Sequence, residues 1–215
     1  MFRSLKKRII TSAILLILLY LVIKFKLILV YSLILFGVFS ILEFFNLLNK
    51  ILKNKISKFI LNSIFTIYVF FYCFIFFYFT NFLILKIIIF ILLLGCIASD
   101  IGGFIAGKIL KGPKLTKISP NKTISGFIGA LIFTSITIST IMFYLTNDFN
   151  YKILVISIVT SLSCQAGDLF ISFLKRKAKV KDTGNLLPGH GGVLDRLDGI
   201  FLGIPFGFIT YIVLS

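Results

Sequence analysis

The sequence predicts an all-α polytopic membrane protein, with about seven transmembrane helices and a polar cleft that opens to the cytosol. Two observations predict it. Of the 215 residues, 59% are hydrophobic, and mean hydropathy is +1.09, whereas soluble domains sit near half apolar. The apolar residues also gather into runs long enough to cross a hydrocarbon layer of about 30 Å as helices, and the cations lie in the short segments between those runs.

In chain order, the runs fall at 9–23, 27–48, 57–79, 82–98, 124–145, 152–174 and 199–214. Arg3, Lys6, Lys7 and Arg8 before the first run resemble the start of a signal peptide. Leu19 to Lys24 offers no small-residue cleavage site, so an uncleaved first span is expected. Between the fourth and fifth runs, Ile101 to Leu110 is too short to span and is expected as a half-helix at the interface. No internal repeat and no Pro/Gly/Ser linker divides the chain. Residues 1–215 are therefore expected as one membrane domain, with scaffold helices in 1–98 and the chemistry-bearing residues in 99–215.

A net charge of +16 would suit nucleic acid, but cations confined to short inter-helix segments point to orientation in a bilayer and contact with anionic headgroups; no nucleic-acid partner is expected. Cys73, Cys96 and Cys164 are scattered inside apolar runs and read as packing residues. With the N-terminus placed inside, Arg3, Lys6, Lys7, Arg8, Lys50, Lys53, Lys55, Lys58, Lys108, Lys111, Lys114, Lys117, Lys122 and the C-terminal cluster all fall inside. Only Lys24, Lys26, Lys86 and Lys152 fall outside. The C-terminus then lies outside a cytoplasmic membrane and Asp148 in an outer loop, while Asp100, Asp182, Asp195 and Asp198 lie at or near the cytosolic face.

The seven acids are scarce enough to be informative: Glu43, Asp100, Asp148, Asp168, Asp182, Asp195 and Asp198. Asp168 lies inside the sixth run, about 10 Å before Lys175 along a helix. A carboxylate there costs about 2.5–3.5 kcal/mol on insertion scales, so its retention points to use. Glu43 also sits in a span; a snorkelling or helix-polar contact explains it as well as a function does.

Four stretches could carry chemistry. Ser99 to Lys108 sets Gly103 and Gly107 four apart, a smooth edge for helix packing; Asp100 at its start suits an N-cap or a metal ligand. Ser119-Pro120-Asn121-Lys122-Thr123-Ile124-Ser125-Gly126 runs a turn into a helix start, where backbone N–H groups, Lys122 and Thr123 could meet phosphate; on this octapeptide alone an ordinary capped helix start is the favoured explanation, and the P-loop pattern is absent. Asp168, Ser172 and Lys175 share one helix face, followed by Arg176. In Pro188 to Asp198, glycines 189, 191 and 192 surround His190, the lone histidine, and would let backbone approach a ligand. Asp195 and Asp198, three apart, would share one side of a helix and suit a hard divalent ion such as Mg²⁺, with Arg196 placed to grip phosphate. A zinc site lacks ligands. Together these residues imply a basic, metal-binding pocket for several phosphates, and phosphoryl or nucleotidyl transfer.

Ser172 to Asp198 resembles the signature of phosphatidate cytidylyltransferases (CDP-diacylglycerol synthases): S-x-apolar-K-R at Ser172–Arg176, K-D at Lys181–Asp182, P-x-H-G-G at Pro188–Gly192, and D-R-apolar-D at Asp195–Asp198. Ser99–Lys108 and Ser119–Gly126 resemble the family's two upstream motifs, so the likeness covers 99–215; residues 1–98 match only as spans, with Glu43 near a frequent acid. Ser125 and Ile171 stand where acids are expected, and the N-terminal half looks reduced. The resemblance implies the reaction CTP + phosphatidate → CDP-diacylglycerol + pyrophosphate, with Mg²⁺ and a monovalent cation such as K⁺, in a bilayer and as a homodimer. It implies Asp168, Asp195 and Asp198 as metal ligands, joined by Asp100 and Asp182. Lys122, Lys175, Arg176, Lys181 and Arg196, with Ser119, Thr123 and Ser172, would hold substrate phosphates. His190, Gly191 and Gly192 would shape the nucleotide loop. On this reading Asp195→Asn abolishes turnover and leaves folding intact.

Two other classes remain open: a CTP-dependent kinase of a lipid alcohol, and a transporter with a charged midplane site, which would spread acids through several spans. A catalytically dead scaffold has little reason to keep acids beside cations. The orientation carries its own test: a reporter fused after Ser215 should lie outside the cytosol, and a cytoplasmic reporter would require an even number of spans.

Overall fold

The computed structural model describes residues 2–116, 119, 122–189 and 191–214, without the side chains of 2–9. Its helices are α1 (Phe2–Lys24), α2 (Lys26–Ile51), α3 (Lys55–Phe79), α4 (Leu83–Leu110), α5 (Ile124–Thr146), α6 (Tyr151–Lys177), α7 (Leu194–Leu197) and α8 (Ile200–Leu214). Six segments are long and apolar enough to cross a membrane: α2 to α6 and Leu194–Leu214. A shorter apolar stretch, Ile10–Lys24, lies in α1. Large apolar side chains such as Ile14, Phe59, Ile84, Ile136 and Ile209 are exposed on these helices, as a lipid-facing surface requires. The protein is an all-α integral membrane protein, as the sequence predicts.

The chain divides into two compact units, Met1–Tyr78 with Leu174–Leu197, and Phe79–Phe173 with Asp198–Ser215. In the first unit, Phe44 of α2 stacks on Phe65 of α3 at 3.9 Å between ring centroids. Gly37 lets α2 lie against Val69 and Cys73. The last residues of α6 also belong here. The helix ends where the Lys179 N–H bonds to the Arg176 carbonyl and the Val180 N–H to the Lys175 carbonyl, with Lys179 left-handed at φ 55°. That is a complete helix-terminating motif, with lysine at the position usually given to glycine.

In the second unit, α4 and α5 cross at backbone distance. A Cβ on Gly102 would lie 2.7 Å from the Gly129 carbonyl, and one on Gly126 would lie 2.8 Å from that of Gly103. Without a hydrophobic drive between helices in lipid, such close van der Waals approach is what holds them together. Thr123 caps α5 by accepting from the Gly126 N–H at 3.1 Å, and Asn147 closes it in the left-handed region at φ 53°. Gly203 and Gly207 bring α8 against Cys96 of α4 and Thr160 of α6.

Two expectations are corrected. There is no separate half-helix at 101–110: α4 runs unbroken for 28 residues, because its small-residue edge is pressed onto α5 and needs no interface to stabilise it. Asp100 consequently lies in mid-helix and is no N-cap.

Gly129→Ala should lower the thermal midpoint in detergent by an overpacking cost of about 1–3 kcal/mol, since its methyl would collide with Ala106. Gly103→Ala, whose methyl would sit 3.5 Å from its nearest neighbour, should be close to neutral. Equal midpoints for the two variants would contradict this packing.

Candidate active site

The polar residues singled out by the sequence gather into one cluster in each unit. In the first unit the cluster is built around two carboxylates. Glu43 on α2 is 4% exposed. Its Oε1 accepts the Val193 N–H at 2.9 Å; its Oε2 accepts the Leu194 N–H at 2.9 Å and the Thr183 hydroxyl at 2.6 Å. Asp195 on α7 accepts the Lys175 ammonium on Oδ1 at 2.7 Å. Its Oδ2 lies within reach of the Thr183 N–H at 2.8 Å, the Gly192 N–H at 3.0 Å and the Thr183 hydroxyl at 3.0 Å. A carboxylate offers about four lone-pair positions, so Asp195 is close to saturated by its own loop.

The glycines of this loop serve those carboxylates. A side chain on Gly192 would overlap Glu43 and Thr183, and a Cβ on Gly184 would lie 2.5 Å from Glu43 Oε1. Gly191, at φ 86°, would place a Cβ 2.9 Å from Asp195 Oδ2 and 3.2 Å from the Asp182 Cβ. What the backbone closes around at Gly184 and Gly192 is therefore Glu43, where the sequence suggested a ligand. The Leu187 N–H to Gly191 carbonyl bond, 2.9 Å, closes the turn, and the Thr11 hydroxyl of α1 donates to the Pro188 carbonyl at 2.8 Å. Arg176, Lys181, Asp182 and Arg196 are exposed around this loop. His190 lies outside the described residues, as do Pro120 and Asn121 of the upstream motif.

In the second unit, Lys122 forms an ion pair with Asp168 Oδ2, both side chains partly exposed at 25% and 30%. The Ser172 hydroxyl reaches Asp168 Oδ1 at 3.3 Å. The expected helix face of Asp168 and Ser172 is therefore present, with Lys122 brought to it from the turn before α5. Thr123 and Ser125 share a 2.9 Å hydroxyl contact, and Ser125 also donates to the Lys111 carbonyl. Ser119 supports the turn by accepting the Lys122 N–H at 3.0 Å on its carbonyl. A Cβ on Gly167 would overlap the Asp198 carbonyl, so glycine there lets the chain after α7 pass directly beside Asp168's own turn. Asp198 Oδ1 accepts the Gly199 N–H at 2.9 Å.

The short helix α7 ends at Leu197, so Asp198 lies just past it, and a Cβ on Gly199 would lie 2.5 Å from the Cys164 sulfur. Among the described residues no three His, Cys, Asp or Glu side chains come close enough together to hold a metal ion. The donor chemistry nonetheless distinguishes the acids. Asp195 Oδ2 is crowded by donors and its Oδ1 holds Lys175, whereas Asp168 holds one lysine and one long hydroxyl contact and keeps more acceptor capacity for a hard cation.

Fold and site define a polytopic membrane protein in which lysines and hydroxyls are set beside sparse carboxylates, an arrangement suited to phosphates. The chain belongs to the Cytidylyltransferase family, whose model matches residues 2–214. It is 44% identical over 117 residues to the phosphatidate cytidylyltransferase of Rickettsia bellii (strain RML369-C), covering 51% of this chain and 51% of that protein. It is 40% identical over 129 residues to that of Mycobacterium leprae (strain TN), covering 59% and 40% respectively. Against that of Helicobacter pylori (strain ATCC 700392 / 26695) it is 43% identical over 113 residues, covering 52% and 42%. The chain thus spans about half the length of the curated relatives it matches, or somewhat less.

Sequence reasoning missed what Glu43 does and the part played by Thr183; the one available signal was an acid kept inside an apolar run. The structure also changes what Asp195→Asn should do. An amide there faces Lys175 or two backbone N–H groups with a donor, so the variant should lose about 3–5 kcal/mol of stability, the cost of breaking a buried pair. Asp168→Asn, at a partly exposed pair, should lose about 0–1 kcal/mol. Thermal unfolding of both variants in the same detergent checks the difference.

Proposed function

We propose that the protein transfers CMP from CTP to phosphatidate, releasing pyrophosphate and leaving CDP-diacylglycerol in the bilayer. The observation that carries the reading is the Lys122–Asp168–Ser172 cluster, with its carboxylate on a helix long and apolar enough to cross a membrane, in a chain of the Cytidylyltransferase family. The names of the relatives supply the substrate class.

The chemistry needs little from the protein beyond positioning. The phosphatidate monoester is already anionic at neutral pH, so its oxygen can attack the α-phosphorus of CTP without a general base. The new P–O bond forms as the bond to the β-phosphate oxygen breaks, and the pair of electrons leaves with pyrophosphate. What must be overcome is repulsion between two polyanions and charge on the leaving group. Lys122, Lys175, Arg176, Lys181 and Arg196 would meet phosphate oxygens, with Ser119, Thr123 and Ser172 adding polar contacts. On the family likeness, Asp168, with Asp100 and Asp198 of the same unit, would hold Mg²⁺, which would supply charge neutralisation on the phosphates. Asp182 is an exposed carboxylate on the loop of the first unit. Asp195 would serve more by fixing Lys175 than by binding metal. His190 and Gly191 would shape that loop. A monovalent cation such as K⁺ and a homodimer follow from the family likeness alone.

The charge asymmetry of the inter-helix segments supports a cytoplasmic membrane location, with the N-terminus and the site on the cytosolic side and the C-terminus outside.

The test is detergent-solubilised protein with phosphatidate, Mg²⁺ and CTP labelled either at the α- or the γ-phosphate. The expected result is α-label in the lipid and γ-label in pyrophosphate, lost on chelation of Mg²⁺ and in Asp168→Asn. Transfer of γ-label to diacylglycerol, supplied in a parallel reaction in place of phosphatidate, with release of CDP would make the protein a lipid-alcohol kinase instead.

A further inference from the structure

Glu43 is chemically out of place. It is a carboxylate inside an apolar helix, 4% exposed, and among the described residues no cation neutralises it. Its partners are all neutral donors: the Val193 N–H, the Leu194 N–H and the Thr183 hydroxyl. These lie 140 to 151 positions later in the chain. An acid that served only to cap a helix could come from the neighbouring turn. This one is brought in from α2, and Gly184 and Gly192 have given up their side chains to admit it.

Thr183 makes the link outward. Its single hydroxyl proton faces Glu43 Oε2 at 2.6 Å and Asp195 Oδ2 at 3.0 Å, and its N–H donates to that same Asp195 oxygen. The Asp195 carboxylate is thereby turned so that Oδ1 receives Lys175. Glu43 therefore fixes the start of α7 directly, and the Asp195–Lys175 pair through one intervening residue.

We propose that Glu43 is a positioning residue for nucleotidyl transfer: it touches no substrate, and it holds the loop 183–195 and Lys175 in working geometry. The inference rests on the function proposed above. Glutamine is the decisive replacement, being of equal size but with one acceptor oxygen and an NH₂ group. Whichever way the amide faces, an N–H meets either the Val193 or the Leu194 N–H.

The experiment uses full-length protein in detergent with CTP, phosphatidate and Mg²⁺, comparing wild type with Glu43→Gln, Thr183→Val, Thr183→Ser and Ser40→Ala. Ser40 is buried one turn from Glu43, and its hydroxyl has no hydrogen-bond partner. Turnover is normalised to folded protein, and hydrogen–deuterium exchange is followed across 183–194. In Glu43→Gln and Thr183→Val, kcat should fall about 10–100-fold, the range typical of groups that orient a ligand set. The KM for phosphatidate should stay within about twofold, and exchange in 183–194 should quicken. Thr183→Ser should restore turnover, and Ser40→Ala should match wild type in both readouts.

Full turnover per folded molecule in Glu43→Gln, with or without a looser loop, would reduce Glu43 to a structural group and overturn the inference alone. So would unchanged exchange in the loop. If Glu43→Gln does not fold, the Thr183→Val and Thr183→Ser pair decides, and equal turnover in those two overturns the inference. Wild-type protein that moves no CMP to lipid defeats the functional reading itself.

Discussion

A carboxylate removed from water must find donors, and in a chain this apolar the donors are few. That constraint shapes the polar part of the molecule. Glu43 meets it with two backbone N–H groups and a hydroxyl. Asp195 meets it with a lysine, two backbone N–H groups and the same hydroxyl. In low dielectric such bonds are strong when complete, and a single missing partner is costly. Backbone N–H groups hold each acid, and the single Thr183 hydroxyl proton, facing both, ties the two carboxylates to each other.

The second unit answers the same constraint differently. Asp168 is left partly exposed with Lys122 beside it, so its charge is compensated without being enclosed. The contrast separates two roles that the sequence shows as one motif. An enclosed, saturated carboxylate organises protein; a partly open one beside a cation and a hydroxyl can still take a ligand.

Helix packing is governed by what membranes lack. Lipid gives no reason for apolar surfaces to associate, so α4 and α5 adhere by backbone proximity across Gly102, Gly103, Gly126 and Gly129. The same contact explains why the segment expected as a separate half-helix continues from the preceding span. Residues 101–110 read as a separate half-helix because the stretch is too short to span by itself; paired with α5, it is the close-contact end of one long helix.

By itself the sequence determined the membrane class, the positions of the spans, and the residues that carry the family's signature, because these depend on composition and local spacing. It also set Asp168, Ser172 and Lys175 on one helix face, but left Lys122 in a separate turn, and only the fold pairs Lys122 with Asp168. It could not say that Glu43 closes on Thr183 and α7, that Asp195 is filled by its own loop, or that Asp198 falls beyond the end of α7. Those are decided by contacts between residues far apart in the chain, where one hydroxyl or one missing Cβ selects the partner. Local pattern records which groups need donors; only the folded chain determines where the donors come from.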